Sequence, residues 1–119
     1  MEILLVEPNA KERKDLALAL SSRGHKVTEV AGGWIAQKTL QLFRYDVIIC
    51  ATIMPGVTGV NIISELRAAK DDTIFIFIDS EGYALNKQIA LTLGANAYLV
   101  KPIDVNYLSS VLNYCFSDN

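Results

Sequence analysis

Five short β-forming runs, each followed by a stretch of helical spacing, constrain this chain more than any other feature. The runs are Ile3 to Val6, His25 to Ala31, Val47 to Ala51, Ile74 to Ile78 and Ala97 to Val100. Val47 to Ala51 and Ile74 to Ile78 are continuously apolar. They have the length and composition of strands buried on both faces, not the in-out alternation of a strand with one wet face.

The intervening segments predict helices. Asn9 followed by Glu12 is a capping-box pattern, and Ala10, Arg13, Leu16, Ala17 and Leu20 keep helical spacing until Gly24, which predicts a helix over 10–23. Gly32-Gly33 opens a second over 34–44, with Ile35, Leu40 and Phe43 facing inward. After Gly59, the positions Val60, Ile63 and Leu66 mark a third that runs out in Lys70-Asp71-Asp72. A fourth covers 83–93 and stops at Gly94. Asp104 caps the last, on which Leu108, Val111, Leu112 and Cys115 share a face. Strict alternation with buried strands requires parallel pairing, right-handed crossovers and helices on both faces. The expected fold is α/β: a three-layer, doubly wound, five-stranded parallel sheet of flavodoxin-like order 2-1-3-4-5 with five helices.

Length and charge narrow the function. At 119 residues the chain is expected to form a single domain, 1–119, around one core, without disulfides or metal to hold it. A net charge of −2, with no basic cluster longer than Lys11-Glu12-Arg13-Lys14, argues against direct nucleic-acid binding. Cys50 and Cys115 lie in apolar runs without metal-ligand spacing and read as reduced core thiols. No basic leader precedes an apolar stretch and no apolar run approaches a bilayer span, so the expectation is a soluble cytoplasmic protein.

In open parallel sheets the ligand crevice lies beyond the carboxyl ends of the strands. In the expected order, neighbouring strands bring Glu7, Ala51 with Thr52, Asp79 with Ser80, and Lys101 to that edge. The third strand stops at Met54-Pro55-Gly56 with Gly59 beyond it, Gly94-Ala95 precedes Tyr98, and Lys101 is followed by Pro102. With these pieces the chain resembles, over essentially its whole length, the receiver domain of bacterial response regulators.

The resemblance implies a signalling module of two-component or phosphorelay pathways rather than an enzyme. It implies an acidic pair at the end of the first strand that holds Mg²⁺; here Glu7 is followed by Pro8. The family's phosphoaccepting aspartate, four residues before the proline of the turn, falls on Ala51. Its phosphoryl-sensing Thr or Ser falls on Asp79, or on Ser80 if the alignment slips by one. Its lysine matches Lys101, and its aromatic switch residue matches Tyr98. A receiver works by in-line attack of a carboxylate oxygen on a phosphoryl group whose charge Mg²⁺ neutralises, and an alanine methyl has no lone pair. With only Glu7 left of the family's carboxylates, Mg²⁺ binding is expected to be weak or absent. The expectation is a pseudo-receiver with a degenerate phosphorylation site.

A lysine at a partly dry strand end needs a counter-charge. Asp79 is the expected partner of Lys101, with Glu7 the other candidate, although Asp79 also suits a cap on the helix that follows. The resemblance favours a cis bond at Lys101-Pro102. Tyr107 and Tyr114, seven apart on the last helix, read as half-buried edge residues or as part of a contact face of helix four, strand five and helix five. Similar receivers use that face to dimerise or to bind a partner or output domain. Trp34 reads as packing, or as a docking anchor if exposed, and His25 has no evident partner. Two other functions stand beside the interaction module. One is a phosphorelay receiver with a non-standard acceptor such as Thr52, whose hydroxyl has no evident activator. The other is a small-molecule sensor, which predicts an apolar cavity near Ala51. The loop Glu7-Pro8-Asn9-Ala10 lacks the groups to cradle a flavin phosphate.

Overall fold

The computed structural model describes residues 1–80 and 85–117. Its strands are β1 (Glu2–Val6), β2 (Lys26–Val30), β3 (Val47–Ala51), β4 (Ile74–Asp79) and β5 (Ala97–Val100). The helices are α1 (Ala10–Ser21), α2 (Gly33–Leu42), α3 (Gly59–Ala68), α4 (Lys87–Thr92) and α5 (Val105–Cys115). All strands pair in parallel in the order β2-β1-β3-β4-β5, the expected doubly wound flavodoxin-like arrangement.

The register carries the polar strand ends to one edge. Val6 lies opposite Cys50, Ala51 opposite Ile78 and Asp79 opposite Val100. Glu7, Thr52 and Lys101 therefore leave the sheet at nearly the same height. Every residue of β3 is buried, as its unbroken apolar run requires, and beside it Phe75 and Phe77 meet edge to face at 4.9 Å between ring centres. Each such buried side chain contributes about 1.5–3 kcal/mol. The sheet is thus a rigid base for whatever stands at its ends.

Helix boundaries depart from the sequence reading where local signals compete. α1 ends at Ser21 with Gly24 left-handed beyond it (φ +90°). α4 starts at Lys87 because Asn86 caps it, accepting from the Ile89 N–H. The expected start at 83 lies outside the described residues, and Asp79 does not cap α4. On α2 the expected inward set is only partly right: Ala36 and Gly33 are buried, whereas Ile35 and Phe43 are exposed. The reason is close approach, since α2 sits with Gly33 against the Val57 backbone, and a helix that close needs small residues beneath it. Gly59 is a second such position: a Cβ there would collide with the carbonyl oxygen of Ala51. His25 does have a neighbour, its Nδ1 lying 3.2 Å from the N-terminal nitrogen.

Candidate functional site

At the end of β1 the Glu7 side chain is 2% exposed, and both its oxygens are engaged. Oε1 lies 2.6 Å from Lys101 Nζ, and Oε2 accepts the Asn9 N–H at 2.9 Å. Arg13 donates through Nη1 to the Glu7 carbonyl at 2.9 Å, fixing the backbone at that point. Lys101 Nζ also lies 3.2 Å from Glu12 Oε1, in the first turn of α1. Burial works against the ammonium charge, but the hydrogen bonds and fields of Glu7 and Glu12 outweigh it and hold the Lys101 pKa above its ordinary value.

The expected pairing of Lys101 with Asp79 is not what forms. The two residues meet only through their backbones, Lys101 N–H donating to the Asp79 carbonyl at 2.7 Å. The Asp79 carboxylate, 2% exposed, accepts the Ser80 N–H on Oδ1 at 2.9 Å and the Tyr98 hydroxyl on Oδ2 at 2.8 Å. That hydroxyl also lies 2.9 Å from the Leu85 carbonyl; its single proton favours the charged acceptor. Burial, then the hydrogen bond to Asp79 and its charge, push the Tyr98 hydroxyl up to about 12. Parallel pairing explains the choice. Phe77 faces Tyr98 across the β4–β5 ladder, which brings the phenol to the end of β4, while Lys101 turns towards β1.

Glu12 was legible only as a capping residue. Its N–H does bond Asn9 Oδ1 at 2.9 Å, but its side chain leaves the cap for Lys101. The only sequence signal for that role was an acid in the first turn of the helix that follows Glu7.

Between these groups lies a crevice of about 190 Å³ lined by Glu7, Ala51, Thr52, Asp79 and Lys101 among others. Ala51 and Thr52 are buried, and Thr52 Oγ1 has no hydrogen-bond partner among the described residues. Among the described residues no base lies within hydrogen-bond reach of that hydroxyl. The crevice is not the apolar cavity a small-molecule sensor predicts at Ala51. A more apolar cavity, about 200 Å³, lies instead on the α1 side of Lys101, against Leu16, Ile78, Ile103 and Val105.

The Mg²⁺ implied by the resemblance does not fit these residues. Glu7 has both oxygens occupied, Pro8 and Ala51 offer no side-chain oxygen, and no group of three Asp, Glu, His or Cys suited to a metal occurs among the described residues.

On the far side of β5, α4 and α5 leave a groove beside the strand. The groove, of about 350 Å³, is lined by Leu91, Tyr98, Leu99, Tyr107, Val111 and Tyr114. The two α5 tyrosines are more open than half-buried edge residues, Tyr107 at 59% and Tyr114 at 84% exposed. They flank the buried Leu108–Leu112 stripe on its solvent side. The Lys101–Pro102 bond beside this face is cis. Trp34, at the start of α2, is 65% exposed and therefore does little packing.

A five-stranded 2-1-3-4-5 sheet whose strand ends gather an acid, a lysine and an aromatic hydroxyl defines a class, and comparison with known proteins names it. Residues 3–113 match the response regulator receiver domain family, and the chain belongs to that family. Among curated relatives it is 31% identical over 108 residues to the transcriptional regulatory protein TcrA of Mycobacterium tuberculosis, covering 91% of this chain and 43% of TcrA. It is 29% identical over 113 residues to the two-component response regulator PhoP of Pseudomonas aeruginosa, covering 95% and 50%. The chain thus spans about half the length of these relatives. Among solved structures, chemotaxis response regulator CheY4 of Vibrio cholerae superposes with a TM-score of 0.83 at 28% identity, covering 95% of this chain and 96% of that one. A Francisella receiver domain gives 0.88 at 24%, covering 95% and 93%, a likeness of fold. Among the described residues no helix is long and apolar enough to cross a membrane.

Proposed function

We propose that this receiver domain signals by protein–protein interaction without being phosphorylated, as a pseudo-receiver. The observation that carries the reading is the hydrogen bond from Tyr98 to Asp79, 2.8 Å long and buried at the carboxylate. Where the family's pattern has a hydroxyl that responds to an arriving phosphoryl group, this chain has a permanent carboxylate, already bonded to the aromatic residue that shapes the α4–β5–α5 face. A two-state element biased by a built-in charge needs no added one. Ala51 supports the reading from the chemical side, since a methyl group forms no acyl phosphate.

The partner is a protein or an output domain engaging the α4–β5–α5 groove, or a second copy of this chain; Tyr107 and Tyr114 supply amphipathic contact area there. Direct nucleic-acid binding, membrane binding and a Mg²⁺ cofactor form no part of the proposal, and the setting proposed is the cytoplasm. Incubation with a small acyl-phosphate donor and Mg²⁺, followed by intact mass, tests it. An unchanged mass is expected, and a gain of one phosphoryl group overturns the reading. In parallel, Asp79→Asn is expected to alter the α4–β5–α5 amide resonances while leaving the β1–β3 core resonances in place.

A further inference from the structure

We propose that the Lys101 ammonium is a built-in replacement for the divalent cation of the strand-end site, and that it keeps metal ions from bridging Glu7 and Glu12. The inference deepens the phosphorylation-independent reading and rests on it for its significance, but its test uses no phosphodonor.

The geometry has three parts. First, Nζ sits between two carboxylates on different elements, 2.6 Å from Glu7 Oε1 and 3.2 Å from Glu12 Oε1. An ion bridging β1 to the start of α1 would take that position. Second, Glu7 is buried, and a buried carboxylate is stabilised by a positive charge placed beside it. Third, Asp79, at the end of the neighbouring strand, does not pair with Lys101: its carboxylate accepts from Tyr98 and Ser80. With a methyl at position 51, the end of β3 offers Lys101 no carboxylate, and its ammonium pairs with Glu7 and Glu12. Glu12 is the open arm of the bridge, with about half of its side chain exposed, and Glu7 the closed one.

A site completed by its own ammonium has no vacancy for Mg²⁺, which would bring two charges next to a fixed third. Removing the ammonium leaves two carboxylates facing one another, with solvent access at Glu12. Such a pair, completed by water, is a common way for Mg²⁺ or Mn²⁺ to be held.

The test is Mn²⁺ titration followed by paramagnetic broadening of amide resonances, on the wild type and on Lys101→Ala. In the wild type, the Asn9, Glu12 and Thr52 amides should broaden no more than those of exposed acidic sites such as Asp72. In K101A the same three amides should broaden saturably. The affinity should rise about tenfold or more, since a unit positive charge about 4 Å from the ion has been removed. Glu7→Gln in the K101A background should abolish the gain. Should K101A be poorly folded alone, the same question is read as rescue: Mn²⁺ raises the unfolding midpoint of K101A and leaves that of the wild type unmoved. Site-specific Mn²⁺ binding by the wild type overturns the proposal, and so does a folded K101A that gains none. Phosphorylation of the wild type would instead sink the proposed function, a result this titration does not produce.

Discussion

Replacing Lys101 with methionine isolates the electrostatic term on which the site depends. Methionine keeps most of the hydrocarbon stem, so little packing is lost, but Glu7 loses the cation that, among the described residues, pairs with Oε1. What remains to its carboxylate is the Asn9 N–H on the other oxygen. Removing one member of a buried ion pair costs about 3–5 kcal/mol, most of it the penalty for the charge left behind. The lysine end of the pair is partly exposed, and Glu12 opens the bridge to solvent, so water relaxes some of that penalty and the expected loss is near the lower end, about 3 kcal/mol. For a chain of this length that lowers the melting temperature by roughly 12 °C. Urea unfolding of K101M, E7Q and the double variant checks the cause. Glutamine at position 7 can still accept from Asn9 and carries no charge, so E7Q/K101M should recover part of the loss, with a coupling energy of at least about 1.5 kcal/mol. A K101M loss below about 1 kcal/mol, or strict additivity in the double variant, would refute the claim that Lys101 is the counter-charge of Glu7.

Four further outcomes follow from the same geometry. Ala51→Asp alone should not accept a phosphoryl group by intact mass, because it adds a carboxylate to a crevice that already holds Glu7 and Asp79 and offers no free metal ligands; adding Pro8→Asp and Asp79→Thr should be needed. Tyr98 titrates at about 12 in the folded protein against about 10 unfolded. The native state therefore holds the extra proton between those values, and the stability this contributes, whole below pH 10, falls as pH rises towards 12. Absorbance at 295 nm should show the late titration, and Asp79→Asn should bring it earlier and flatten the loss. Gly59→Ala should destabilise by about 2 kcal/mol or more in chemical denaturation, since its Cβ meets the Ala51 carbonyl across a backbone that cannot yield. Tyr114→Ala, at a largely exposed position, should change stability by no more than about 0.5 kcal/mol yet weaken self-association or partner capture measured by sedimentation.

The chain's local signals were enough for the sheet. Unbroken runs such as Val47–Ala51 have no polar face to leave in water, and caps such as Asn9 and Asp104 mark helix starts through their own side-chain chemistry, so strand order and the set of polar strand ends followed from sequence alone. The absence of a nucleophile at Ala51 was equally legible, because it depends on one residue's identity. Pair choice was not. Asp79 was the expected partner of Lys101 with Glu7 the other candidate, and Glu12 did not look like one at all, because ion pairing is decided by differences of an ångström in where side chains from separate strands and helices arrive. The exposed side of α2 was hidden for a similar reason: Ile35 and Phe43 have the right spacing to be buried, but the close seat of Gly33 on the Val57 backbone rotates that face towards water. Periodicity is a property of neighbours along the chain, whereas the contacts that give this site its charge balance join β1, α1 and the end of β5, which meet only once the sheet is wound.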